Sequence, residues 1–327
     1  MTAHRLHQQA ASDAVPVRLL TRIVLACAFQ ASMVWRRAFG GDHLSAMAWP
    51  TIDLANIEFI FAHEGLFQLF LDGKFPDSLR RPISVRGLGA RLGHDVETVR
   101  RSSKRLIERG LCERPAAGMI VRSSSYGIDY IETASQQTES LLRSMYGELE
   151  RWSVDFPALL PLVLNPCPWD QEQENVQIGR RLRVLLLLDS IVRYATANML
   201  IFERNLGAAD AFLCIFNENN RPLLEDDDLA LKYALLDPPV PDALRRPASI
   251  RSIARAANYP AETTRRYVSR LVEIGLVERR GEGLVIPTEV TLAPAFLKIS
   301  GDLPALLLVM TEQIHRIVTV RPAKSPC

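Results

Sequence analysis

An internal repeat constrains this chain more than any other feature of its sequence. The segment PDSLRRPISVR at 76–86 returns 165 residues later as PDALRRPASIR at 241–251. The register holds without a gap from 76–121 to 241–286, with 20 identities in 46 positions. Unrelated sequences of ordinary composition would share about three of those positions. The pattern therefore indicates a duplicated folding unit.

The repeat extends beyond this core and predicts the domain organisation. At the same offset, apolar residues recur at three- and four-residue steps after each core, which predicts a long helix there. We expect a first repeat over 17–153 and a second over 182–318. The proline-rich and then polar stretch between them predicts a linker over 154–181. Residues 1–16 and 319–327 are expected to be tails, the first of them flexible.

The core of each copy predicts two short helices followed by a β-hairpin. In the first copy Ser84 is a good cap for a helix that ends at Leu92, and Asp95 caps a second helix that runs to Arg109. Gly110 ends that helix, and short β-prone segments, 111–114 and 119–121, flank a turn.

The second copy repeats this order. Ser249 caps a helix to Ala257, a second helix runs from Ala261 to Ile274, and a hairpin follows Gly275. The expected fold is mainly α, with small β-hairpin wings and two duplicated modules on a helical scaffold.

These cores resemble the recognition helix and wing of bacterial winged helix-turn-helix regulators of the GntR, MarR and IclR kind. The resemblance rests on ETVRR at 97–101 with Leu106 and 108–114, and on ETTRR at 262–266 with Leu271 and 273–279. It covers about 45 residues in each copy. It implies winged modules at 76–122 and 241–287 and, in that family, a second helix that enters the major groove of double-stranded DNA.

Charge is concentrated on the two expected modules. Residues 76–122 carry a net charge of +6 and residues 241–287 carry +4, whereas the whole chain carries +2, so the remainder carries −8. Such segregation is the electrostatic footprint expected of a phosphate-binding surface.

The resemblance and the charge pattern together predict the DNA-contacting residues. The tips of the second helices are assigned to base edges, and the paired arginines before the first helices to phosphate. In the first copy these residues are Arg80, Arg81, Ser84, Val96, Glu97, Thr98, Arg100, Arg101, Lys104 and Arg105. In the second copy they are Arg245, Arg246, Ser249, Ala261, Glu262, Thr263, Arg265, Arg266, Ser269, Arg270 and Arg280.

One alternative and one further prediction concern these helices. Glu97 with Arg101, and Glu262 with Arg266, could be ordinary i,i+4 surface pairs. The copies also differ at the helix tips, for example Asp95 against Pro260 and Lys104 against Ser269, which predicts that they read non-identical half-sites.

The rest of the chain indicates a cytoplasmic protein. Five dispersed cysteines without metal-ligand spacing suggest reduced thiols, and the first residues lack the pattern of a secretory signal. The apolar run 184–202 contains Asp189 and Arg193, which favours a buried helix over a membrane span.

No catalytic, cofactor or metal pattern stands out, so we expect a transcriptional regulator that binds double-stranded DNA as an internal pseudo-dimer and is not an enzyme. The alternatives are a winged-helix assembly factor that binds protein and a plasmid-type replication initiator. The apolar face after the first wing could pack against the other copy or form a homodimer; its residues are Leu141, Leu142, Met145, Leu149 and Trp152.

Overall fold

The chain folds mainly into α-helices. A computed structural model describes residues 15–163 and 176–319. In those ranges it contains thirteen α-helices and one antiparallel sheet of two strands. The expected mainly helical class with a small β component is therefore confirmed. Residues 1–14 and 320–327, which hold most of the two expected tails, lie outside the described ranges.

The first half of the chain contributes six helices. They are α1 (Val17–Ala38), α2 (His43–Ile57), α3 (Glu64–Leu71), α4 (Val85–Leu92), α5 (Val96–Glu108) and α6 (Asp129–Ser153).

The second half contributes seven helices and the two strands. They are α7 (Val176–Asn198), α8 (Leu206–Glu225), α9 (Asp227–Lys232), α10 (Ile250–Ala257), α11 (Ala261–Glu273), β1 (Glu278–Arg280), β2 (Gly283–Val285), α12 (Thr288–Leu292) and α13 (Pro294–Thr319). Since α7 begins at Val176, the last six residues of the expected linker are helical.

The expected caps bound the repeated helix pairs. The Ser84 side chain accepts from the Gly87 amide at 3.0 Å, and the Asp95 side chain accepts from the Thr98 amide at 2.8 Å. Gly93 ends α4 in the left-handed conformation with φ +67°, which glycine adopts without a Cβ clash. Ser249 caps α10 in the same way as Ser84 caps α4. The expected starts of all four helices are confirmed.

A short antiparallel pairing follows each helix pair and returns to the residue before the first helix. In the second copy β1 pairs with β2, and Ala248 forms a bridge with Leu284. In the first copy the equivalent contacts are isolated bridges, Ile83 with Met119 and Glu113 with Ile120. The first hairpin is thus less regular than the two expected segments suggested.

Glycine permits the close approach of these strands. A Cβ on Gly118 would lie 2.5 Å from the Ile83 carbonyl oxygen, and Gly118 has φ +146°. At its counterpart Gly283, an added Cβ would lie 2.3 Å from the side-chain Cβ of Pro247. Both positions therefore lack room for a Cβ, although the crowding atom differs between the copies.

The compact units do not coincide with the two repeats. Among the described residues, one unit contains 31–143, 176–196 and 309–319, and we call it the α5 unit. The other contains 15–30, 144–163 and 197–308, and we call it the α11 unit. Each unit combines segments from both expected repeats.

Contacts inside each unit show this exchange of helices. In the α5 unit, Arg183 of α7 donates to Glu139 of α6, with 2.9 Å from Nε to Oε1. In the α11 unit, Arg22 of α1 donates to the Tyr233 carbonyl oxygen at the end of α9. The first helix of each repeat therefore packs against the other repeat.

The structure also corrects the alignment of the regions before the cores. Asp42 and Asn205 are the N-caps of α2 and α8 and lie 163 residues apart, as do the buried Asn56 and Asn219. The second copy therefore has two additional residues between Asn219 and its repeated core. Extended to the first helices, the same 163-residue relation aligns Arg18 with Arg181.

Aromatic side chains form the centre of the α5 unit. Trp35 stacks on Trp49 with ring centroids 5.4 Å apart, and Phe39 and Tyr126 extend the cluster. The same core includes Leu88, Val99 and Leu106 from the helix pair, all fully buried. These contacts hold helices α4 and α5 against α2.

Three helices are long and apolar enough to cross a membrane, by length and composition alone. They are Val17–Ala38, Gln177–Phe202 with its terminal 3-10 turn, and Pro294–Thr319. In the most apolar window of each, 56%, 39% and 28% of residues are buried inside the protein.

Candidate nucleic-acid interface

The second helix of each repeated pair has one buried face and one exposed face. On α5 the residues Val99, Ser102, Ser103 and Leu106 are buried. On α11 the residues Thr264, Val268 and Leu271 are buried. The opposite faces carry most of the residues that the sequence assigned to DNA.

The exposed face of α5 is basic and partly internally paired. Val96, Glu97, Arg100, Arg101 and Lys104 are exposed, and Thr98 is half-buried. Arg100 lies 2.7 Å from Glu97, whereas the Nε of Arg101 is 3.5 Å from the same carboxylate. The i,i+4 alternative is therefore present in this copy, but as the weaker of the two contacts of Glu97.

The exposed face of α11 leaves one arginine without an ion pair. Ala261, Glu262, Arg265, Arg266 and Ser269 are exposed, and Thr263 is half-buried. Glu262 pairs with Arg265 at 2.9 Å, and no ion pair of Arg266 is found in the described ranges. The alternative pairing of Glu262 with Arg266 is therefore not formed.

Two of the assigned arginines instead tie these helices to the preceding element. The Nε of Arg105 donates to Asp42 Oδ2 at 2.6 Å, and the Nε of Arg270 donates to Glu203 Oε2 at 2.6 Å. Both carboxylates lie just before α2 or α8. Helical periodicity could not predict these contacts, because the carboxylates lie 63 and 67 residues away in the chain. The two ion pairs attach α5 and α11 to the segments before α2 and α8.

Arg80 and Arg245 do not form the expected phosphate clamps, because both are buried. Each is only 5% exposed. The Nη1 of Arg80 lies 2.9 Å from Asp53 Oδ1, and its Nε lies 2.8 Å from Asp77 Oδ1. Arg245 donates to Asp242 Oδ1 at 3.2 Å. A DNA backbone cannot reach guanidinium groups enclosed in this way.

The neighbouring arginines Arg81 and Arg246 are exposed but engaged. The guanidinium of Arg81 lies over the Phe59 ring at 4.0 Å, and Arg246 pairs with Glu218 at 3.0 Å. Arg280 of β1 pairs with Asp242 and Glu278, and the hydrogen bond to Asp242 raises the pKa of Arg280.

The cap hydroxyl groups of Ser84 and Ser249 are also exposed. Both already accept a backbone amide proton, so they position the helix start.

Sequence reasoning missed two asparagines that fix the hairpins. The Nδ2 of Asn56 donates to the carbonyl oxygens of Arg81 and Met119, and its Oδ1 accepts from Val121. Asn219 makes the same three contacts with Arg246, Leu284 and Ile286. The two-residue shift between the copies removed any repeat signal at these positions.

It also missed basic residues on the first helices of the pairs. Arg86 of α4, and Arg251 and Arg255 of α10, are exposed and have no ion pair within the described ranges. They extend the positive surface beside α5 and α11.

The face offered for a homodimer is already covered within this chain. Leu142, Met145, Leu149 and Trp152 are at most 4% exposed. These side chains are therefore not available to a second chain.

Neither a metal-ligand cluster nor a similar protein indicates a function for this chain. Within residues 15–163 and 176–319, no three His, Cys, Asp or Glu side chains are grouped so that they could hold a metal ion. Comparison with protein-family models, with curated proteins and with solved structures gives no match.

Proposed function

We propose that this protein is a transcriptional regulator that binds double-stranded DNA through two winged-helix modules. The order of elements supports the assignment of a winged-helix module. A helix is followed by a residue that forms a β-bridge, then by a pair of helices, and then by a hairpin whose second strand pairs with that residue. This order occurs in both copies. It is the order in which a winged helix-turn-helix is built.

The observation that carries the proposal is the repeated arginine pair on an exposed helix face. Arg100 and Arg101 on α5, and Arg265 and Arg266 on α11, are all solvent-exposed. They occupy the first two turns of the second helix, where such modules contact base edges. An arginine there can donate two hydrogen bonds to guanine O6 and N7.

Arg101 and Arg266 are the best candidates for base contacts, because they have the weakest intramolecular contacts. Arg101 makes only the 3.5 Å contact with Glu97, and Arg266 only lies over the Tyr267 ring at 5.8 Å. Their guanidinium groups can therefore be redirected to DNA at little cost. Arg81, Arg86 and Arg251, which border these helices, are suited to phosphate.

The two modules are proposed to read different half-sites. The tip of α5 begins with Asp95 and Val96, and that of α11 with Pro260 and Ala261. Lys104 is replaced by Ser269. Mutating one module should therefore relax selectivity in one half of the operator only.

The test compares specific with non-specific DNA binding. A randomised duplex pool first selects an operator. Arg101→Ala with Arg266→Ala should then weaken operator binding by about 10- to 100-fold for each arginine that reads a base, and random-duplex binding by much less. Binding of wild-type protein to random DNA should weaken steeply with salt, because phosphate contacts release counterions.

A matched control removes the same charge elsewhere. Arg221 and Lys298 are exposed and lie outside the repeated cores. Arg221→Gln with Lys298→Gln should leave operator binding within about twofold, since neither side chain lies on a module. If wild-type protein selects no duplex and shows no salt-sensitive affinity, the basic faces serve a protein partner instead.

We also propose that the protein works in the cytoplasm. Two of the long apolar helices bury charged side chains inside the protein. Arg22 and Arg36 of α1 and Arg183 of α7 are at most 4% exposed. Such guanidinium groups are costly in a lipid core. Fractionation of expressing cells should recover the protein without detergent, and carbonate-resistant pelleting would contradict this.

A further inference from the structure

The α11 unit contains three arginines whose charge is poorly compensated. We call Arg18, Arg22 and Arg245 the arginine cluster. Arg22 is 2% exposed and Arg245 is 5% exposed, whereas Arg18 lies partly at the surface. Within the described ranges, Asp242 is the one carboxylate in an ion pair with the cluster, and Arg280 shares it.

Part of the cluster is held by backbone carbonyl groups. Arg18 donates from Nε and Nη2 to the Leu236 oxygen at 3.3 and 3.2 Å. Arg22 donates from Nη2 to the oxygens of Ala230 and Tyr233. These contacts fix the two guanidinium groups but bring no negative charge.

Two buried nitrogen atoms of the cluster have no hydrogen-bond partner. They are Nη1 of Arg22 and Nη2 of Arg245. The cluster shares one electrostatic environment, because burial and then the nearby charges of Arg18 and Arg245 lower the pKa of Arg22 to about 10. An unpaired donor on a buried cation is costly unless an acceptor occupies the site.

The equivalent place in the α5 unit has more negative charge in ion pairs, although Nε and Nη2 of Arg181 also lack hydrogen-bond partners there. There Arg181, the counterpart of Arg18, lies 3.6 Å from Asp53, and Arg80, the counterpart of Arg245, pairs with Asp53 and Asp77. Two guanidinium groups thus face two carboxylates.

The 163-residue relation shows what differs between the two places. Asp53 corresponds to Phe216, and Arg22 corresponds to Leu185. The second copy therefore has one carboxylate fewer in an ion pair and one guanidinium more at this place, while Glu289, which aligns with Ser124, acts on Arg245 only through its nearby charge. The two substitutions leave more positive charge here than in the α5 unit, and an external anion would offset it.

We propose that the arginine cluster binds a small tetrahedral oxyanion, namely a phosphate group. The planar, multiply donating guanidinium fits such an anion. In this proposal the unpartnered nitrogens of Arg22 and Arg245 are the buried donors, and the partly exposed Arg18 is the donor nearest to solvent. Because the two nitrogens are buried, a DNA backbone cannot reach them, so the phosphate is free or belongs to a small molecule.

Phosphate bound at this site would lie close to the start of the helix pair in the same unit. Arg245 lies four residues before Ser249, the cap of α10, and three residues before Ala248, which bridges to Leu284. The site therefore adjoins the point where the hairpin is attached. The binding site itself does not rest on the proposed DNA-binding function.

The test measures thermal unfolding of the full chain in sodium phosphate against sodium chloride at equal ionic strength. Because a ligand of the folded state stabilises it, about 10 mM phosphate should raise Tm by about 2 °C or more. Titration calorimetry with inorganic phosphate and with glycerol phosphate then distinguishes the free anion from a phosphate ester.

Two variants and a control locate the site. Arg22→Met removes a buried donor, and Phe216→Asp supplies the carboxylate present at the equivalent position 53. Both should lose the phosphate-dependent rise in Tm, whereas Arg221→Gln should retain it. Phe216→Asp should also fold without phosphate, which covers the case in which Arg22→Met is unstable.

The proposal is overturned if wild-type protein shows no phosphate-specific rise in Tm and no calorimetric signal. It is equally overturned if Phe216→Asp responds to phosphate as wild type does. Neither result depends on whether DNA binds.

Discussion

Asn219 should stabilise the α11 unit far more than its neighbour Asn220. The Asn219 side chain is fully buried and makes three hydrogen bonds, two to carbonyl oxygens at 2.8 and 3.1 Å and one from the Ile286 amide at 2.8 Å. The Asn220 side chain is also buried, but it donates only to the Phe216 carbonyl oxygen, within its own helix. The two residues therefore form a matched pair.

The hydrogen bonds set the expected magnitude. A net contribution of about 1 kcal/mol for each bond gives about 3 kcal/mol for Asn219→Ala and about 1 kcal/mol for Asn220→Ala. The true loss for Asn219→Ala should exceed the simple sum, because the truncation leaves buried backbone groups of the hairpin without partners. Both substitutions remove the same atoms, so helix propensity and side-chain burial largely cancel.

Denaturant unfolding followed by far-UV circular dichroism measures the two free energies of unfolding. Hydrogen exchange locates the effect: amides of 278–286 should exchange faster in Asn219→Ala, while those of 113–121, which Asn56 holds in the α5 unit, should not change. Equal destabilisation by the two substitutions, or unchanged exchange of the second hairpin, would refute the argument that Asn219 fixes it.

Three further predictions concern buried charge, pH and thiol reactivity. Asp53→Asn should lower the free energy of unfolding by about 3 to 5 kcal/mol in chemical denaturation, because it leaves Arg80 and Arg181 in a buried place with one carboxylate fewer; a loss below about 1 kcal/mol contradicts this. Burial favours the protonated form of Asp77 and Asp242, but hydrogen bonds from Ser123 and Arg80, and from Thr288 and Arg280, outweigh it and lower the pKa of each carboxyl. Their stabilisation is therefore complete above the unfolded pKa of about 4 and is lost as pH falls through the lower folded value, so an Asp77→Asn and Asp242→Asn double variant should show a flatter stability profile below about pH 4. Burial raises the pKa of the Cys27 thiol to about 12 and also raises that of Cys112, so peptide mass spectrometry should find both unalkylated by iodoacetamide at about pH 8 until the protein is unfolded, and rapid native alkylation would contradict their burial.

Local chemistry was readable from the sequence because its partners are close in the chain. Ser84 and Asp95 cap helices through amides three residues away, and Gly93 and Gly110 adopt positive φ at the helix ends. These features fixed the helix pairs to within a residue or two.

The contacts that decide burial lie far apart in the chain. Arg80 and Arg81 look alike in sequence, yet Arg80 is enclosed because Asp53 lies 27 residues before it. The same holds for Arg105 and Arg270, which meet carboxylates more than 60 residues away. Charge counting therefore identified exposed basic faces, but it also included arginines that are buried or paired through contacts far away in the chain.

The exchanged first helices make each repeat incomplete by itself. A fragment that ends after α6 would carry the Arg80 and Asp53 pair without Arg181, and would retain α1 without the α9 carbonyls that Arg22 contacts. Separate expression of the two halves should therefore yield poorly soluble polypeptides, while their co-expression should restore a one-to-one complex. Because one gene encodes both halves, they are always made in equal amounts. The sequence of each half can therefore change while its partner remains present.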